Sequence, residues 1–105
     1  MTNLGTAPYM SPELFLEGDE AYTPKVDVWA LNTCLYKLLT NKMFFWSPNK
    51  KMLEKQVIEK PFYVDPSFNI SEPVKDLLIK GYMKDPAERL SMQEYVNHPA
   101  FSMFH

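Results

Sequence analysis

PKVDVWALNTCLYKLLT, residues 24–40, decides the fold. Thr23 followed by Pro24 reads as an N-cap and a first helical position, because a hydroxyl satisfies an orphan N–H there and proline has no N–H to lose. The helix this opens runs to about Thr40, roughly 25 Å at ~1.5 Å per residue. At ~100° per residue its apolar side chains fall in every quadrant. Val28, Leu31, Leu35, Leu38 and Leu39 form one broad face, Trp29 and Tyr36 lie to one side, and Ala30 and Cys34 to the other. Asp27, Asn32, Thr33 and Lys37 are scattered between them. A helix with no continuous polar face is a buried helix, so residues 24–40 are predicted to be the pillar of the molecule.

Outward from the pillar, the punctuation is that of short helices. On the N-terminal side, residues 1–10 carry no period and read as an extended loop. Ser11-Pro12-Glu13-Leu14 starts a short helix with Ser11 as N-cap, ended by Gly18-Asp19-Glu20. On the C-terminal side, Ser47-Pro48 starts a helix to about Glu59, with Met52, Leu53, Val57 and Ile58 on its apolar side. Lys50 and Lys51 in its first turn oppose the helix dipole and predict a frayed start. Residues 60–70 (KPFYVDPSFNI) hold two prolines and form a loop pinned by Phe62 and Phe68. Ser71 caps a helix over about residues 72–83, where Val74, Leu77, Leu78 and Tyr82 make a one-sided stripe. Asp85-Pro86 breaks it. Ser91-x-x-Glu94 is a capping box for a last short helix ending before Pro99. Nothing alternates with period two over a useful length, so no sheet is expected.

Composition removes several functions. A formal charge of −2 gives no general attraction to nucleic acid or anionic lipid. A single cysteine, Cys34, excludes an intrachain disulfide and a two-thiolate zinc site, and fits a reducing, cytoplasmic compartment. With only His98 and His105 beside it, no metal site is predicted. The longest apolar runs, 28–31 and 43–46, are too short to span a membrane. The three glycines, Gly5, Gly18 and Gly81, cannot write G-x-G-x-x-G or G-x-x-x-x-G-K, so the chain has no Gly-rich nucleotide loop.

Three motifs carry a family resemblance. GTAPYMSPE (5–13) resembles the end of the activation segment of eukaryotic Ser/Thr protein kinases, usually G-T-x-x-Y-M-A-P-E. DVWALN (27–32) resembles the D-x-W-x-x-G that opens the central helix of the kinase C-terminal lobe. DPAERLSMQEYVNHPAF (85–101) resembles the D-P-x-x-R-x-[ST]-x-x-E-x-L-x-H-P-x-F that closes the domain. They come in the family's order and spacing over about residues 2–101. The resemblance implies a mainly α, truncated kinase C-lobe: a helical bundle around a buried central helix at about 24–40, with residues 1–105 forming a partial kinase domain.

It also implies roles, residue by residue. Gly5 through Tyr9, with Thr6 between them, matches the loop that receives the substrate residue just after the phosphorylated one. Thr6 matches the threonine typical of Ser/Thr rather than Tyr kinases. Thr2 stands where many kinases carry an activating phosphothreonine, although the arginine that would hold its phosphate belongs to a catalytic loop not in these residues. Glu13 matches a glutamate that pairs with a distant arginine, here Arg89. Asp27 matches the aspartate that holds the catalytic-loop backbone, and its local role is that of a carboxylate at a helix N-terminus. Trp29 is expected as a core anchor, and His98 as a structural residue. Ser11, Asn32 and Ala100 depart from the pattern, replacing Ala, Gly and Trp. Asn32 puts bulk and a polar group into a buried helix and implies local repacking. Ala100 thins the terminal aromatic contact.

Phosphoryl transfer needs an ATP cradle, a phosphate-binding lysine, magnesium ligands and a catalytic-loop aspartate. The chain has no H-R-D, D-F-G, V-A-I-K or Gly-rich loop, and it opens inside the activation segment. It is therefore expected to carry the substrate-side platform of a Ser/Thr kinase with no catalytic residue and no activity alone. ATP and magnesium are expected only for an intact kinase. The expected partners are a protein substrate or regulator, or the missing part of a kinase domain. The alternative is a non-catalytic, kinase-like protein-binding module. Apolar side chains that the missing segments would cover predict a marginal, self-associating monomer.

Overall fold

The pillar forms as predicted. In the computed structural model, which describes residues 7–104, Pro24–Thr40 is one uninterrupted α-helix. The described elements run in the order Ala7–Tyr9 (a 3-10 turn), α1 (Pro12–Glu17), a 3-10 turn at Gly18–Ala21, α2 (Pro24–Thr40), α3 (Lys50–Glu59), α4 (Glu72–Gly81), α5 (Met92–Val96) and a 3-10 turn at Pro99–Phe104. Among the described residues there is no strand.

Thr23 caps α2 by accepting the Lys25 N–H at 3.2 Å. At the other end Asn41 turns left-handed (φ 59°), and its N–H reaches the Lys37 carbonyl at 2.7 Å. Asparagine tolerates that conformation where most side chains would not.

Neighbouring residues on α2 feed two different cores. Trp29 packs with Ala7, Phe45, Leu53, Val57 and Tyr82. Val28 packs with Leu77, Tyr95 and Ala100. The helix is thus a wall with packing on both sides, which is why its apolar residues recur at more than one phase. The burial is not complete, however. Leu38 is 84% exposed, Leu31 40% and Leu39 44%, and Cys34 is also exposed. The row Leu31, Cys34, Leu38 faces outward because no described element packs on it.

Two boundaries differ from the sequence reading. α3 begins at Lys50, not at Ser47-Pro48, and its start is capped rather than frayed. The Asn49 carboxamide accepts the N–H groups of Lys51 (2.9 Å) and Met52 (3.2 Å), satisfying two orphan donors beside the adverse lysine charges. Ser47 instead accepts from Asn49 N–H and shapes the turn before the cap. Met52, expected on the apolar side, is 53% exposed, while Leu53 and Val57 are fully buried. α4 stops at Gly81, short of Met83, and Ser71 makes no side-chain cap bond. The Ser91–Glu94 capping box is present in both directions. In the 60–70 loop, Phe62 and Phe68 lie edge-on to Tyr36 at 5.8 and 6.3 Å, pinning the loop as expected.

Candidate functional site

Helix α1 is held against the C-terminal part of the chain by one ion pair. Glu13 and Arg89 meet in a two-pronged contact: Nη1 donates to one carboxylate oxygen at 2.8 Å and Nη2 to the other at 2.9 Å. Both residues are buried, Arg89 at 1% exposure. The rest of the guanidinium is equally occupied. Nε donates to the Met83 carbonyl (2.8 Å), Nη1 to that of Lys25 (2.9 Å) and Nη2 to that of Lys84 (3.2 Å). All five N–H groups therefore have acceptors, which is the condition for a buried arginine to be tolerated. Its Cζ lies 5.1 Å from the centre of the Trp29 ring. Burial pushes the Glu13 carboxyl up, and the Arg89 hydrogen bonds and charge overcome it, so that the group sits below its usual range.

Sequence reasoning missed the two lysines that complete this junction. Lys25 Nζ donates to the carbonyls of Pro86 (2.7 Å) and Arg89 (2.6 Å), tying the first turn of α2 to the 85–89 turn. Lys84 Nζ donates to the Val57 carbonyl and stands 4.8 Å from the centre of the Phe45 ring. Burial and the nearby Arg89 charge bring Lys84 down to about 8. Neither lysine has a partner close in sequence, so no local pattern announces it.

The remaining predicted site residues separate into groups. Tyr9 closes the Ala7–Tyr9 turn and is partly buried, next to the buried Ala7 and Pro8. Thr2, Gly5 and Thr6 lie outside the described residues. Asp27 is exposed in the first turn of α2, and its carboxylate receives the Tyr22 hydroxyl, 2.8 and 2.9 Å from its two oxygens. That hydrogen bond holds the Tyr22 phenol up from its ordinary value. Trp29 is fully buried, stacked on Phe45 at 5.5 Å and edge-on to Tyr82 at 4.6 Å. Its Nε1 and the Ser11 hydroxyl are buried with no partner among the described residues. His98 accepts the Ala100 N–H on Nδ1 (2.9 Å), so its ring proton is on Nε2 and points at Asp76 Oδ2, 2.8 Å away. Bonds from His98 and then Lys80 hold the Asp76 carboxyl below its ordinary value.

Alongside Met10 a groove of about 460 Å³ opens between α1, the Gly18–Ala21 turn and the start of α3. Leu14 and Phe15 line it, with Tyr22, Lys50 and Glu54 at its edges. The groove can receive an extended apolar side chain with polar groups around it. It supplies no nucleophile and no cation cradle. Among the described residues no three carboxylate, imidazole or thiol groups converge. No helix among them is long and apolar enough to cross a membrane.

A sequence profile described as the protein kinase domain matches residues 1–101. The chain is 35% identical over 98 residues to calcium-dependent protein kinase 21 of Arabidopsis thaliana, covering 91% of this chain and 18% of that protein. It is 34% identical over 98 residues to the SNF-related serine/threonine-protein kinase of Homo sapiens, covering 93% of this chain and 12% of that one. Its fold superimposes on the twitchin kinase region from C. elegans with a TM-score of 0.82 at 26% identity, covering 93% of this chain and 17% of the other. The chain thus spans less than a fifth of the length of these relatives. It belongs to the protein kinase family.

Proposed function

We propose that this member of the protein kinase family supplies the substrate-facing platform of a Ser/Thr kinase. Sequence outside these 105 residues would supply the ATP site, the magnesium ligands and the catalytic loop. The observation that carries the reading is the five-bonded Arg89 and its grip on Glu13. It fixes α1, and with it the Ala7–Tyr9 turn, against the Trp29 core beside the Met10 groove. A loop that must hold a protein substrate in register with a distant phosphate needs that rigidity more than it needs chemistry of its own. The substrate is a protein bearing Ser or Thr, met in the cytoplasm, with an apolar side chain entering the groove.

A chimera tests this. Residues 1–101 replace the corresponding segment of the human SNF-related kinase, and phosphorylation of a protein substrate is followed. The chimera is expected to phosphorylate Ser or Thr but not Tyr, and Glu13→Ala in it to abolish activity. The 105-residue chain alone is expected to show no magnesium-dependent ATP affinity. A folded chimera without activity, or ATP turnover by the chain alone, overturns the proposal.

A second reading, a non-catalytic kinase-like binding module, is favoured by one observation, the exposed row of Leu31, Cys34 and Leu38 on α2. An inactive, folded chimera together with a regulatory protein bound to that row would replace the first reading by the second.

A further inference from the structure

Where the C-terminal end of α2 meets the 60–70 loop there is a pocket of about 220 Å³. Rings from three segments wall it: Tyr36 of α2, Phe44 of the link to α3, and Tyr63 and Phe68 of the loop. Phe44 stands edge-on to Tyr36 at 5.9 Å and to Tyr63 at 5.2 Å, and Phe68 edge-on to Tyr36 at 6.3 Å, so the rings hold one another in place.

Two ammonium groups stand at the same pocket. Lys60 Nζ is 4.4 Å from the centre of the Phe44 ring, and Lys42 Nζ is 5.9 Å from that of the Phe68 ring. Neither makes an ion pair among the described residues. Their backbones are fixed: the Thr40 hydroxyl accepts the Lys42 N–H at 3.1 Å, and the Gln56 carbonyl accepts the Lys60 N–H at 2.9 Å. The carboxylate at the pocket is Asp65, which already accepts the Ser67 N–H at 2.8 Å. Two positive charges therefore stand against one negative. Tyr36 is buried, and burial pushes its phenol up from its ordinary value, so it keeps an O–H to donate.

We propose that this pocket binds an aryl phosphate, a phosphate monoester carried on one aromatic ring, as in a phosphotyrosine side chain. Charge sets the phosphate, which carries about −1.5 to −2 at neutral pH and accepts from ammonium and phenol donors on its oxygens. The walls set the ring, for which aromatic edges and faces are fitting neighbours. Volume sets the ring count: an apolar cavity of ~150 Å³ admits one benzene, and this pocket adds room for a phosphate but not for a second ring. A quaternary ammonium, the other guest of aromatic walls, is disfavoured because Lys42 and Lys60 already lie against ring faces. The pocket shares no lining residue with the Met10 groove and does not depend on the substrate-platform reading.

The probe is phenyl phosphate, titrated into the isotope-labelled 105-residue chain while backbone amide shifts are followed. Saturable shifts are expected at Lys42, Phe44, Tyr63 and Phe68, with Leu31 and Leu38 unmoved. Inorganic phosphate and phenol, each lacking part of the ligand, are expected to bind at least ~10-fold more weakly. Lys42→Met and Lys60→Met should each weaken binding by ~5-fold or more, whereas Lys60→Arg, which keeps the charge and still stacks on a ring, should retain it. Asp65→Asn leaves an acceptor for Ser67, removes the opposing charge and should tighten binding. Lys37→Met, at an exposed lysine outside the pocket, should bind as the parent. An acetylated phosphotyrosine amide that binds more tightly than phenyl phosphate assigns the ligand to a protein, and one that binds no more tightly assigns it to a free ester; both have the proposed chemistry. Parental affinity in a folded Lys60→Met chain, equal affinity for inorganic phosphate, or weaker binding in Asp65→Asn overturns the proposal.

Discussion

Gly81 lies directly against the Asn32 carboxamide: a Cβ at position 81 would stand 2.6 Å from Asn32 Cγ. The extra bulk that Asn32 brings into α2 is thus housed where α4 has no side chain. Its polar atoms are housed as well. Nδ2 donates to the Leu78 carbonyl at 2.9 Å, and Oδ1 accepts the Tyr95 hydroxyl at 2.7 Å. The local repacking implied by an asparagine in this buried helix is therefore a three-helix junction of α2, α4 and α5.

The two positions are predicted to be coupled. Gly81→Ala should destabilise the parent chain, since its methyl group must displace a carboxamide hydrogen-bonded at both its nitrogen and its oxygen. In an Asn32→Gly background the same change should be near neutral, because the space is then free and alanine favours the helix. A coupling of ~1–3 kcal/mol in a urea double-mutant cycle is the expected result. Additivity within error would show that the 2.6 Å approach costs nothing.

How much of this was legible beforehand follows from where the partners lie in sequence. The Thr23 cap, the Ser91–Glu94 box, the bounds of α2 and the phase of α4 are local patterns, and they were readable. The Glu13–Arg89 pair was reachable only through the family resemblance. The α3 start was misread because Ser47-Pro48 and Asn49 both offer capping chemistry, and only the turn geometry chooses between them. Lys25, Lys84 and the Asn32–Tyr95 bond were not legible, since each joins residues brought together by the tertiary fold. The exposed row on α2 had the same hydrophobic signature as the buried rows, because composition records what a side chain is and not what covers it.

Removing Glu13 strands a buried guanidinium. Glu13→Ala is expected to cost about 3–5 kcal/mol in denaturant unfolding. Arg89→Lys should cost nearly as much, because an ammonium offers three donors where five are used and cannot make the planar two-pronged contact. The Glu13 carboxyl, held below 4.5 in the fold, binds a proton more readily in the unfolded chain. Its contribution is fully present above pH 4.5 and is lost as pH falls through the folded value. Glu13→Gln should flatten the stability profile in that acid range.

Lys84 gives a signature at the alkaline end. Its ammonium titrates near 8 in the fold and at 10.5 unfolded. Between those values the unfolded chain binds the extra proton, so stability is expected to rise as pH increases from 8 toward 10. Burial pushes the Tyr82 and Tyr95 phenols up from 10, and ionisation of the unfolded phenols reverses the trend above that pH. The chain should therefore be most stable near pH 10. Lys84→Met should abolish the rise and leave the fall. A wild-type profile flat from pH 7 to 10 would show that the Lys84 ammonium is not desolvated.

The exposed row on α2 sets the behaviour of the chain in solution. Leu31 and Leu38, with Val96 of α5 at 48% exposure, border one apolar groove that also contains Cys34. Water against such a surface is displaced when two copies meet, at ~25 cal/mol per Å² of apolar area covered. Sedimentation velocity is expected to show association that grows with concentration and persists in reducing buffer, since apolar contact rather than Cys34 oxidation drives it. Leu31→Lys with Leu38→Lys should suppress association while leaving the unfolding midpoint of the dilute chain within a few degrees. Leu77→Ala, which empties a fully buried site beside the same helix, should lower stability by about 2–5 kcal/mol. A wild-type chain that stays monomeric across the whole range would mean that the leucine row does not bind its own copy.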